Sequence, residues 1–225
     1  YYHGLMLNEE DSIYQVEQKA KGKEQGVGIA IIYLPRISNS TDFEPLQQEV
    51  GVRLRYITAP WEIDDPSLIV IPGTKSTMAD LAHLREIGLA QAIIKRARAG
   101  TPVVGICGGF QMLGKRIEDP QLVESEESCI EGLSLLDIVT IFDKQKMTHQ
   151  VEAEVICGHG LFQGLVGAEF TGYEIHMGQT KRGAVTPAFK ITQRSGQKES
   201  HLDGAVGQDG KVFGTYLHGL FDDER

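Results

Sequence analysis

Cys107 lies in the run TPVVGICGGFQMLG (101–114), with Gly105 two residues before it and Gly108 and Gly109 directly after. Val103, Val104 and Ile106 have the character of a short buried strand, and Phe110, Gln111, Met112 and Leu113 follow beyond the glycines. A strand that turns abruptly into a helix at G-x-C-G-G has the form of a nucleophile elbow. The glycines there relieve crowding that would otherwise bury the reactive atom. A thiol in an apolar run is ordinarily a structural, inert one. Three glycines within three residues of Cys107 point instead to a sulfur that is presented.

A thiol nucleophile needs a base, and histidine is the usual one. Of seven histidines, His218 follows the strand-like VFGTYL and precedes Gly219, so it stands at a strand end, as Cys107 does. Their separation along the chain says nothing against contact in space. His176, in GYEIHMG, also ends an apolar run, and fits either a substrate contact or a histidine bonded to backbone at a sheet edge. His3, His83, His149, His159 and His201 have helical or loop contexts typical of surface residues.

Attack on an amide builds charge on oxygen, so fixed donors are required. The N–H of Gly108, directly after the cysteine, is the first donor an elbow supplies. The loop IPGTKST (71–77) offers a second, because Gly73 allows a close backbone approach; the same loop also reads as a turn with a helix cap from Ser76 or Thr77. Two stretches imitate phosphate loops. GFQMLGKR (109–116) carries Arg116 where a magnesium-binding hydroxyl belongs, and GTKST lacks the spacing, so no ATP site is expected in this chain.

The elements that must position these groups alternate between strand and helix. VGIAIIYL (27–34) is a near-continuous apolar run, 52–57 and LIVI (68–71) are further strands, and strand four leads into Cys107. A helix is expected over 43–50, with Phe43, Leu46 and Val50 on one face and Asp42 as its cap. Another spans 78–99, broken at Gly88. This alternation implies a mainly parallel sheet with helices on both faces and ligands at the carboxyl ends of the strands. Later runs at 138–142, 151–156, 170–175 and 212–217 are expected to extend that sheet with antiparallel strands, and 183–204 to contain a surface hairpin or loop.

Composition is ordinary for a globular chain: 41% hydrophobic and 24% charged over 225 residues. A formal charge of −9 disfavours nucleic acid as a partner. No segment is apolar enough for a membrane span and the N-terminus lacks a secretory pattern, so the expectation is a cytoplasmic location with no membrane partner. Cys107, Cys129 and Cys157 form no C-x-x-C pair, so neither a disulfide framework nor a metal site is expected. The polar residues 1–25 read as a connector, leaving 26–225 as the domain.

GICGGFQMLG, with GTYLHGLF near the end, resembles the glutaminase half of class I glutamine amidotransferases, a flavodoxin-like α/β fold. Within that class IIYLPRISNSTDFEPL (31–46), IPGTKSTMADLAHLR (71–85) and GYEIHMG (172–178) resemble the cobyric acid synthase family. The resemblance covers about 27–225 and rests on several motifs in order. It implies a domain that hydrolyses glutamine and supplies ammonia to an N-terminal synthetase domain of the same full-length chain. That domain would use ATP and Mg to amidate adenosylcobyrinic acid a,c-diamide in cobalamin biosynthesis, and this one would need no cofactor. Residues 1–25 then correspond to the interdomain connector, and FDDER would be a truncation shortly after the histidine.

Carried onto this sequence, the resemblance makes Cys107 the nucleophile that forms a glutamyl thioester and His218 its base. Gly73 and Gly108 match the oxyanion positions, and Gln111 a position that holds the substrate, although Gln111 also reads as an N-terminal helix residue bonded to backbone. Many class I members place Glu two residues after the histidine, whereas Leu220 stands here. The implied catalytic group is thus a Cys–His dyad whose orienting partner is open, with Asp222, Asp223 and Glu174 as candidates. Other readings are a related glutaminase subunit that amidates lipid II, a general cysteine hydrolase, and a non-catalytic docking module. Retention of Cys107, His218 and both glycine loops speaks against the last.

Overall fold

The computed structural model describes residues 26–222. The connector expected over 1–25, His3 within it, and Asp223 lie outside the described residues. The first apolar runs form β1 (Val27–Ile32), β2 (Val52–Ile57), β3 (Leu68–Ile71) and β4 (Val103–Ile106), where the sequence pattern places them. Helices α1 (Glu44–Gln48), α2 (Thr77–Glu86), α3 (Leu89–Arg98) and α4 (Gly108–Leu113) lie between and after them. The second half is strand-rich: β5 (Arg116–Glu118), β6 (Cys129–Glu131), β7 (Ile138–Val155), β8 (Glu169–Arg182), β9 (Phe189–Arg194), β10 (Gln197–Asp203), β11 (Ala205–Val206), β12 (Val212–Thr215) and β13 (Leu217–His218).

The central sheet runs β11-β12-β4-β3-β1-β2, parallel except for the edge strand β11. Its parallel strands follow the doubly wound order whose strand ends form a ligand crevice. Side chains alternate between two cores: Ala30 and Ile32 face one, Ile29 and Ile31 the other. The first core is closed by α2, α3 and α4 through Met78, Leu81, Leu84, Ile93 and Phe110. Each such side chain, fully buried, contributes about 1.5–3 kcal/mol. Helical residues on the opposite face are few, namely Phe43 and Phe162 from 3-10 turns (Ser40–Phe43 and Gly160–Phe162) and Leu46 of α1.

That face is covered mainly by a second, seven-stranded sheet. Strands β7 and β8 do not extend the first sheet, as the sequence pattern suggests, because their burial differs, whereas β11 and β12 do extend it. Residues of β7 and β8 alternate between covered and wet, which suits an antiparallel sheet with one face in water. All four residues of β12 are buried, and it inserts beside β4 as a parallel strand instead. Strands β9 and β10 form the expected hairpin, with Ser195 and Gly196 at its turn.

The helix expected over 43–50 is shorter, and Val50 is fully exposed rather than buried. The chain leaves α1 at Glu49 in extended conformation and turns through Gly51 at φ 86° to enter β2. Asp42 does not cap this helix; it is buried and makes no capping bond. The break between α2 and α3 falls at Gly88, whose φ of 79° favours a residue without Cβ.

Candidate active site

Cys107 sits at the junction of β4 and α4 with φ 52° and ψ −108°, a conformation that costs a non-glycine residue roughly 1–3 kcal/mol. Backbone bonds on both sides hold it: Cys107 N donates to Thr215 O at 2.8 Å, and Gln111 N to Cys107 O at 3.1 Å. The flanking glycines are required because α4 lies directly on the sheet. A Cβ on Gly109 would collide with the Ile71 carbonyl, one on Gly105 would come 2.6 Å from Gly109 O, and one on Gly108 2.7 Å from Thr74 Cγ2. The sulfur is 3.2 Å from Ile175 O on β8, to which the thiol donates.

His218 reaches the same place from β13, which pairs with Tyr173 and Glu174 of β8. A Cβ added to Gly73 would lie 3.3 Å from His218 Cε1 and 3.6 Å from Cys107 Cβ, so both side chains flank one glycine. The imidazole is 1% exposed, and its Nδ1 is 2.6 Å from Asp42 Oδ2. An ionised carboxylate only accepts, so Nδ1 carries the proton and a neutral ring leaves a lone pair on Nε2. Nε2 is buried and has no hydrogen-bond partner. Tyr173 stacks on the ring at 5.0 Å, and the Asn39 amide donates to the Tyr173 hydroxyl at 3.0 Å. Burial works against a charge on His218, but Asp42 and the Cys107 sulfur outweigh it and push its pKa up to about 9.

Asp42 is thus the orienting group that sequence reasoning missed. Glu174, one of the candidates, pairs instead with Arg194 at 2.6 Å and lies 3.7 Å from His176. Asp222 turns toward Gly219, with its Oδ2 3.1 Å from where a Cβ there would be. His176 stacks on Tyr216 at 3.8 Å, and its Nδ1 is buried without a partner. Among the remaining histidines, His159 lies beside Cys157 at 3.3 Å and His149 beside Ser195 at 3.0 Å.

Gln111, read as a substrate contact, is 2% exposed and its amide is engaged internally. Its Oε1 accepts from Thr77 Oγ1 at 2.9 Å, and its Nε2 donates to Met177 O at 2.9 Å and to the Tyr216 hydroxyl at 3.3 Å. It therefore ties α2, α4, β8 and the chain after β12 together. The loop 73–76 is held as firmly. Ser38 N donates to Gly73 O at 2.9 Å, and the Thr74 hydroxyl lies 2.5 Å from Asp80 Oδ2 and 3.1 Å from Arg36 O. Among the described residues, no group of three or more His, Cys, Asp or Glu is placed to hold a metal ion, and no helix is long and apolar enough to cross a membrane.

A buried imidazole set by a carboxylate, facing a strained cysteine between glycine loops, is an arrangement for acyl transfer. The chain is 46% identical over 222 residues to a cobyric acid synthase of Dehalococcoides mccartyi and 48% identical over 226 residues to one of Moorella thermoacetica. Each alignment covers 99% of this chain but only 44% and 43% of those relatives, so the chain spans less than half their length. Among solved structures, PurLQS from Thermotoga maritima aligns with a TM-score of 0.66 at 20% identity, covering 86% of this chain and 88% of that one. A glutamine amidotransferase from the same organism aligns with a TM-score of 0.58 at 17% identity, covering 86% and 76%. These two likenesses bear on the fold alone. The sequence profile of one family matches residues 28–225, and the chain belongs to it: the CobB/CobQ-like glutamine amidotransferase domain family.

Proposed function

We propose that this domain hydrolyses glutamine through a Cys107–His218–Asp42 triad and hands the ammonia to a synthetase domain elsewhere in the full-length protein. The observation that carries this reading is the 2.6 Å contact of Asp42 with a histidine that shares the Gly73 wall with Cys107. His218, whose raised pKa favours the imidazolium, takes the thiol proton, and the sulfur attacks the side-chain amide carbon. The N–H of Gly108 and a backbone donor of the loop 73–76 receive the oxyanion. When the tetrahedral species collapses, the C–N bond breaks and the imidazolium protonates the leaving nitrogen, which departs as ammonia and leaves a glutamyl thioester. Water, deprotonated by His218, then cleaves the thioester to glutamate and restores the thiol. Asp42 holds the ring in the tautomer this needs and stabilises its charged form.

Gln111 supports this geometry from behind, by joining the start of α2 to β8. The ammonia acceptor in this reading is an activated carboxylate of adenosylcobyrinic acid a,c-diamide, with ATP and Mg bound by the synthetase domain and none required here. Support comes from the relatives' printed name, cobyric acid synthase, and from the part of their length that this chain does not cover. The test is glutamate release by the full-length protein with and without Cys107→Ala, and corrinoid amidation with glutamine or ammonium chloride as donor. Cys107→Ala should abolish glutamate release and glutamine-dependent amidation while sparing the ammonium-dependent reaction. Equal loss with both donors would refute it.

A further inference from the structure

We propose that Glu124 is a positioning residue for glutamine hydrolysis: it caps the start of α2 from a separate loop and so fixes the neighbouring loop 73–76. The proposal rests on the glutaminase reading above. Helix α2 begins where that loop ends, and its own N-cap residue, Ser76, makes no side-chain capping bond. The N–H groups of Thr77 and Met78 go instead to the two carboxylate oxygens of Glu124, at 3.3 Å for Met78. Glu124 is held in turn by Asp119, a fully buried carboxylate that accepts from the N–H groups of Val123, Glu124 and Ser125 at 2.8, 2.8 and 3.0 Å.

The turn that Glu124 caps abuts the elbow. Thr77 Oγ1 donates to Gln111, and a Cβ on Gly108 would lie 3.0 Å from Thr77 Oγ1 and 3.3 Å from Thr74 N. A shift of about 1 Å at Thr77 therefore moves the loop's backbone donors relative to the sulfur, a misplacement that can cost on the order of a hundredfold in rate. Stability alone would be served by a short polar side chain at Ser76. Burial instead pushes the Glu124 pKa up to about 7, against the two backbone donors that favour its charge, and Asp119 adds repulsion. Asp80, in the first turn of α2, commits its carboxylate to Arg36 and Thr74 and brings Glu124 no cation.

In the full-length protein, Glu124→Ala and Glu124→Gln would be assayed for glutamate release and for alkylation of Cys107 by iodoacetamide. Displacement of iodide builds no charge on an amide oxygen, so alkylation reports only on the thiol and imidazole. The expected result is a fall in kcat of about tenfold or more for Ala and a smaller one for Gln, consistent with partial loss of an oxyanion donor. KM for glutamine and the alkylation rate should stay within about threefold of wild type. The rise of kcat with pH near 7, as Glu124 ionises, should disappear in Glu124→Gln. Unchanged kcat in both variants, or alkylation falling as far as hydrolysis, would overturn the proposal. Glutamate release that survives Cys107→Ala would overturn the glutaminase reading and this proposal with it, whereas release that needs Cys107 but ignores Glu124 overturns the proposal alone.

Discussion

Replacing Asp42 with Asn keeps the shape of the side chain and removes the charge opposite His218. In the wild type the His218 pKa rises from 6.5 to about 9. At 1.36 kcal/mol per unit this is about 3 kcal/mol in favour of the imidazolium. Asp42 and Cys107 share that preference, so the carboxylate accounts for on the order of 1.5–3 kcal/mol, the usual range for a hydrogen bond to a charged group. Transition states that place a proton on His218 lose this amount, and kcat/KM for glutamine should fall about 10–100-fold. Glutamate release can be followed with a coupled dehydrogenase, alongside the pH dependence of Cys107 alkylation, whose histidine-linked limb should move to lower pH. Thermal melting provides the control for folding, since Asp42 Oδ1 also accepts from Gly219 N at 3.4 Å. Wild-type kinetics and an unmoved pH limb in a folded Asp42→Asn protein would show that Asp42 does not act through His218.

Gly73→Ala should lower glutamine hydrolysis at least about tenfold with little change in melting temperature, because the new methyl would press 3.3 Å from His218 Cε1 and 3.2 Å from Ser38 Oγ; unaltered hydrolysis would show that the wall yields. Gln111→Ala strands the Thr77 hydroxyl and the Met177 carbonyl, so chemical denaturation should show a loss of about 1–3 kcal/mol together with reduced activity. A wild-type stability with activity lost would instead return Gln111 to direct substrate contact. The pH dependence of stability follows from His218, whose pKa is raised on folding. Its contribution, about 3 kcal/mol, is complete below pH 6.5 and is lost as pH rises through about 9. Denaturant midpoints across pH 6–10 should show that loss, and Asp42→Asn should flatten it.

The parts of the fold that were legible in the sequence are those fixed by neighbours along the chain. The elbow announces itself because Gly105, Gly108 and Gly109 answer a local crowding problem, and each meets backbone or Thr74 where a Cβ would go. Strands β1 to β4 read directly from unbroken apolar runs, since a parallel strand is covered on both faces. Asp42 was misread because its position before Phe43 matches a helix cap. Its actual partner lies 176 residues away, in a strand whose position is set by pairing with β8. Gln111 shows the converse. Its place four residues after Cys107 is visible in the sequence, but the three groups that occupy its amide come from α2, β8 and the segment after β12. The division of the later strands into two sheets depends on which of them are wet on one face, and that is settled by tertiary burial.

Treatment with a glutamine-analogue diazoketone, with the adduct mapped by mass spectrometry, distinguishes an activated Cys107 from an inert thiol. Cys129 is exposed, while Cys107 is 8% exposed and Cys157 is buried, so accessibility alone would direct the reagent to Cys129. A single adduct is expected on Cys107, prevented by excess glutamine and slowed by Asp42→Asn. Labelling of Cys129 or Cys157 with Cys107 untouched would contradict the activation of Cys107.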